Sequence, residues 1–196
     1  MTEIILNILF SIANFINENY YYSFLIYLVL SICFFSLSLP GGMIISISSG
    51  FFFGFIEGFI INILSITTGS LIFIVFSKTL FSKLFKNYYD KFSDKMFNYI
   101  KKSSYEYLIL IRLIIGPPLI FQNLCISLLD ISKTKIFITS FIGFSPLMLL
   151  FSYIGSIALN LLDLKSYTVF DIFSLEVLFL IVILIILLLL KIYFKK

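Results

Sequence analysis

No charged residue falls between Glu18 and Glu57, between Glu57 and Lys78, or between Lys135 and Asp163. Uncharged, apolar stretches of that length are read as membrane spans, because a water-facing surface needs polar cover along its whole extent. Only 12% of the 196 residues are charged and 61% are hydrophobic, with 25 Phe and 12 Tyr. A soluble domain carries about 25% charged residues. The composition therefore excludes a soluble globule and directs the chain to a bilayer.

The counts remove several chemistries. With no histidine, the common zinc motifs and the Ser-His and Cys-His arrangements cannot be built. Cys33 and Cys125 lie in apolar runs without CxxC spacing, so they read as small packing residues, with a disulfide or reactive thiol as the lesser alternatives. The glycines at 50, 54 and 58 lack the lysine and strand context of a phosphate-binding loop. The net charge of +4 comes from lysines beside apolar segments, which suits anionic headgroups better than nucleic acid. No catalytic residue, metal or cofactor is expected, and the chain is not expected to be an enzyme.

Along the chain, residues 1–19 read as an interfacial helix, with Asn7, Ser11 and Asn14 on one polar stripe. Met1–Phe10 has no basic region and no cleavage site follows it, so an uncleaved start is expected. Tyr20, Tyr21 and Tyr22 form an aromatic belt opening a span at 20–39, which Pro40-Gly41-Gly42 ends. Residues 43–60 hold three serines, Glu57 and the ladder Gly50, Gly54, Gly58, whose spacing of four puts the glycines on one helix face. That face permits close helix packing or lines a ligand seam. A second span follows at 61–77.

Residues 78–104 carry seven lysines and an apolar repeat every three or four positions. This predicts an amphipathic helix on the cytoplasmic membrane surface. The second half, 105–162, contains an apolar stretch at 107–129 broken by Gly116-Pro117-Pro118 and a span at 136–162 with Gly143, Pro146 and Gly155. Residues 163–196 supply an acidic loop and a final helix at about 175–194.

If 43–60 and 107–129 enter the bilayer and return, twelve of the fourteen basic residues face the cytoplasm. The expected fold class is then an all-α integral membrane protein. It has about four transmembrane helices and two opposed re-entrant helical hairpins in an inverted-repeat-like arrangement, with both termini cytoplasmic. Kinked full spans are the competing layout. The lean architecture suits the plasma membrane of a bacterium.

Leu39-Pro40-Gly41, Gly50-Phe51-Phe52-Phe53-Gly54, Gly58, Gly69 and Phe73 resemble the glycine-rich entrance of the VTT (DedA) membrane protein superfamily. Arg112-Leu113-Ile114-Ile115-Gly116-Pro117-Pro118 resembles that family's R-L-x-P-G-x-P stretch, and Asn123 matches the asparagine after it. Gly143 with Pro146, then Tyr153 with Gly155, resemble its later motifs, so the likeness covers about residues 36–160. Ile115 stands where the family has its first proline, Ser127 where a glycine is usual, and Lys78 where arginine is frequent. The resemblance implies an integral membrane protein whose re-entrant hairpins meet in the bilayer. It also implies movement of lipids between leaflets or proton-coupled transport of lipid phosphates.

Three side chains are candidates for substrate or proton binding. Glu57 is the only acidic residue between Glu18 and Asp90; in hydrocarbon it would hold a proton and serve coupling, and at the interface it would be a solvated charge. Arg112, the sole arginine, is read as a bidentate phosphate ligand, as a snorkelling interfacial charge, or as the partner of Glu57. Asn123 needs a helix neighbour or a polar ligand. The leading expectation is a transporter or scramblase for a phospholipid or a polyprenyl phosphate, proton-coupled or passive. A membrane scaffold is the alternative, and a lipid phosphatase the weaker one. The expected partners are membrane lipids and protons, with a homodimer as the candidate assembly and no nucleic acid.

Overall fold

The structure, a computed structural model, describes residues 11–12, 14–16, 18–84, 105–113, 118–129 and 131–163. Six helices are named here: α1 Tyr20–Ser36, α2 Gly42–Phe53, α3 Phe55–Leu84, α4 Tyr105–Leu113, α5 Leu119–Ser127 and α6 Lys133–Asp163. Among the described residues everything is helix or connection. The amphipathic segment beyond residue 84, Gly116, Pro117, the loop after Asp163 and the final helix lie outside them, as does most of the N-terminal helix, of which 11–12, 14–16 and 18 are helical.

Two helices are long and apolar enough to cross a membrane, over Phe55–Leu80 and Lys133–Ala158. At 1.5 Å per residue each of these stretches is about 39 Å long, more than the roughly 30 Å of hydrocarbon. They pack against each other and run in opposite directions, since Lys78 near the end of α3 and Lys133 at the start of α6 line one hollow.

The shorter helices form two hairpins against this pair. The contact of Tyr20 with Phe53 and of Phe35 with Gly69 makes α1 parallel to α3. Helix α2 returns along α6, with Ser46 against Met148 and Gly50 against Ser152. Their corner spans 37–41 and uses two left-handed residues, Ser38 (φ 51°) and Gly41 (φ 100°). On the other side, α4 runs beside α6, with Tyr105 under Lys135 and Arg112 beside Phe144. Helix α5 follows Pro118 and leads back towards Leu129 near the lysines. The two hairpins thus approach from opposite ends of the α3–α6 pair.

This differs from the sequence reading in two places, the break expected near residue 60 and the span expected at 20–39. The break expected around 60 is absent, because Ile60-Ile61-Asn62 contains nothing that stops a helix, and 55–84 is continuous. The break sits instead at Gly54, whose φ of 84° and ψ of −178° suit glycine alone. Gly50, Gly54 and Gly58 are therefore divided between two helices and a pivot and do not line one face. The stretch 20–39 becomes the first arm of a hairpin, with its helix ending at Ser36.

Buried apolar clusters share the interior with many small polar side chains, and the outer faces are apolar. Ser46, Ser49, Asn62, Ser65, Thr67, Ser70, Asn123, Ser127, Ser140 and Ser152 are fully buried, while Leu25, Ile26, Val29, Leu30, Ile72, Phe76 and Ile142 are exposed. Apolar side chains outside and small polar ones between helices are what a lipid solvent selects, since helices there associate by close packing and hydrogen bonds. Cys33 and Cys125 also face outward as free thiols, contrary to the expected packing role. The tightest crossing joins α2 and α6. A Cβ on Gly155 would lie 2.0 Å from the Ile47 carbonyl oxygen, and one on Gly50 would lie 2.2 Å from that of Ser152. Beside it, Phe53 is enclosed by Tyr20, Phe24 and Tyr27, whose hydroxyl donates to the Ile45 carbonyl at 2.8 Å.

Candidate functional site

Arg112 lies in the last turn of α4 and is only 2% exposed. Its stem packs on Gly143, where any Cβ would come within 2.4 Å of the Arg112 Cβ, and its guanidinium lies 4.8 Å from the centre of the Phe144 ring. Glycine at 143 therefore lets the arginine pass α6, and the ring offers its electron-rich face to the cation.

The guanidinium is held along one side. Arg112 Nη1 donates to Asn123 Oδ1 at 2.7 Å. Asn123 Nδ2 in turn donates to Ser38 Oγ at 2.9 Å and Ser70 Oγ at 3.4 Å. Four elements meet here: α4, α5, the α1–α2 corner and α3. Arg112 Nε and Nη2 have no hydrogen-bond partner among the described residues. These two groups form the side-on edge of the guanidinium, whose parallel N–H bonds match two oxygens of a carboxylate or phosphate. Buried donors left unpaired are costly, so the arrangement favours an anion.

Space for a ligand adjoins the arginine. A cavity of about 570 Å³ is lined by Arg112, the corner Ser38–Met43, Pro118–Gln122 at the head of α5, and Phe144 and Met148 of α6. Most of its wall is apolar. It lies where the ends of the two hairpins face each other.

Of the three sequence candidates, the structure brings together Arg112 and Asn123. Glu57 is exposed in the first turn of α3, beside Gly54. From residue 57 to Ser70, which holds Asn123, is about 20 Å along that helix. A carboxylate there complements the positive helix end, and it does not meet Arg112. Among the motif residues, Pro40 and Gly41 line the cavity, Pro118 precedes α5, and Pro146 sits within a continuous α6.

The sequence reading missed Ser38 and Ser70, the two acceptors that orient Asn123. It also missed a second polar cluster, in which Asn62 Nδ2 donates to the Ser46 carbonyl at 2.8 Å and to Ser152 Oγ at 2.9 Å. A signal existed for Asn62, an amide inside an apolar run. None existed for Ser38, whose role depends on a corner that brings residues 38 and 123 together.

Buried polar clusters between helices with apolar outer faces, two of them long enough to span a bilayer, define a helical membrane protein. The chain belongs to the VTT domain family, whose model matches residues 39–157, more than half of its length. No curated protein and no solved structure matches the sequence.

Proposed function

We propose that this protein moves a phospholipid or lipid-linked phosphate between membrane leaflets, with Arg112 gripping the phosphate. The observation that carries the reading is the unpaired side-on edge of a buried arginine at a largely apolar cavity. An amphiphile needs both features: two donors for its head and apolar walls for its chains. Asn123, clamped by Ser38 and Ser70, fixes the plane of the guanidinium. The protein acts as a carrier and makes no bond in its substrate.

In this reading the α1–α2 and α4–α5 hairpins are re-entrant, and their ends meet within the bilayer around the cavity. Lys78, Lys133 and Lys135 mark the cytoplasmic face by the lysine bias, which puts Glu57 and the start of α1 at Tyr20 at the outer face, in place of the cytoplasmic start expected from the sequence. Coupling through a Glu57–Arg112 pair is not part of the proposal, because the two groups stand too far apart; passive movement fits the site better. A scaffold would be served by a sealed apolar seam, and the cavity speaks against that alternative.

The test is transport in liposomes by the wild type, R112K and R112A. One charge-assisted hydrogen bond contributes about 1.5–3 kcal/mol. R112K is expected to lose roughly tenfold and R112A roughly a hundredfold. Equal rates in all three would eliminate phosphate recognition. Thiol labelling in a C33A/C125A background tests the layout: cysteines placed at 21 and 55 should react from one face, and those at 105 and 132 from the other.

A further inference from the structure

One positive charge faces the Arg112 cavity. Among the described residues lining it, no other side chain is charged or titrates near neutral pH. The wall is neutral on every element packed there: Phe35 of α1, Ser46 of α2, Ile66 of α3, Gln122 of α5 and Phe144 of α6. Other charges on these helices stand away from it. Glu106 is six residues before Arg112, about 9 Å along α4, and Lys135 is nine before Phe144, about 14 Å along α6. Glu57 and Lys78 lie nine and twelve residues from Ile66, about 14 and 18 Å along α3. The thiols of Cys33 and Cys125 face outward.

A phosphodiester carries one charge on two terminal oxygens. Those oxygens match the unpaired Nε and Nη2 edge of Arg112, and the pair is neutral. A phosphomonoester has three terminal oxygens and, above its second pKa near 6, two charges. The wall hydroxyls are already engaged: Ser38 donates to the Phe35 carbonyl at 3.5 Å, and Ser46 donates to the Met148 sulfur at 3.5 Å. The second charge would lie in a largely apolar cavity without a counter-charge, which is costly.

We infer that the Arg112 cavity selects a singly charged phosphodiester lipid and rejects the doubly charged phosphomonoester. The selectivity rests on the phosphate-carrier reading above and names its substrate class. A monoester enters only after a terminal oxygen has taken up a proton in solution, because the cavity wall supplies neither a second cation nor a proton donor that titrates near neutral pH.

The test compares phosphatidylmethanol with phosphatidic acid, which differ by one methyl ester, both bearing the same labelled acyl chain. The full chain is placed in phosphatidylcholine liposomes. Movement is read as label lost from the extractable outer leaflet, less the rate in protein-free liposomes. At pH 8 about one monoester in a hundred keeps its second proton, so phosphatidylmethanol should move about a hundredfold faster. At pH 6 about half the monoester is singly charged, and the ratio should fall to about twofold. The chain has no histidine to titrate across this range. Leu39→Lys adds a cation at an exposed position on the cavity wall and should narrow the pH 8 ratio roughly fivefold. Each ratio compares two lipids on one preparation, so it does not depend on the share of protein that is folded. A ratio near one at pH 8, a ratio that holds at pH 6, or no narrowing with Leu39→Lys would overturn the selectivity while the carrier reading stands. Movement of both lipids that is unchanged in R112A would overturn the carrier reading itself.

Discussion

Two polar clusters among the described residues, around Asn62 and around Arg112, are both built on a buried amide and serine hydroxyls and differ in what lies beside them. Around Asn62, the amide, Ser46, Ser152 and the Gly50–Gly155 crossing close on one another so tightly that a single added carbon would strike backbone. Around Arg112, an equally buried amide holds a cation beside about 570 Å³ of space. Both clusters join helices, but only the one around Arg112 leaves unpaired donors beside open space. The comparison teaches that a buried polar residue in a membrane bundle is not by itself a sign of function. What separates the two is vacant volume next to unpaired donors.

The contrast can be broken most decisively at the crossing. Gly155→Val should cost about 3 kcal/mol or more through overpacking against the Ile47 carbonyl, read as a lower thermal unfolding midpoint in detergent. Retention of wild-type stability would show that α2 and α6 are not in close contact. At Arg112 the opposite pattern is expected. Arg112→Gln should leave stability unchanged or raise it by about 1 kcal/mol, because it removes a buried charge with unpaired donors, while transport falls. A large loss of stability together with transport would make Arg112 a joining residue like Asn62.

Smaller effects sharpen the same division. Asn62→Ala should lower stability by about 1 kcal/mol, the size of an interhelical hydrogen bond in lipid, with transport per folded molecule unaltered. Glu57→Gln should change stability by less than about 0.5 kcal/mol, since it removes only an exposed charge at a helix start, and the pH profile of transport should keep its shape. A profile flattened by that substitution would return Glu57 to the mechanism as a proton carrier.

Much of the bundle was legible in the sequence because lipid selects long uncharged runs, and charges and prolines punctuate them. The two long helices, the corner at Pro40-Gly41 and the start of α5 after Pro118 follow from local rules. The position of the pivot at Gly54 does not, because three evenly spaced glycines suit both a packing face and a chain reversal. Only the approach of α2 to α6 decides between them. Arg112 and Asn123 were found by rarity, as lone polar groups in apolar sequence. Rarity also singled out Glu57, which the fold sets at a helix start far from the cavity. Ser38 and Ser70 are ordinary residues locally, and their part in the site comes from contacts across 85 and 53 positions of chain.

A single residue, Gly54, stands between α2 and α3, and this bears on how the chain is delivered to its membrane. Twelve residues of helix reach about 18 Å, too short to be recognised as a crossing segment on their own. With no slack before α3, the short helix cannot wait in water while its neighbour is threaded. The two helices are expected to enter the bilayer as one parcel, with the longer helix as the address and the shorter one as its passenger.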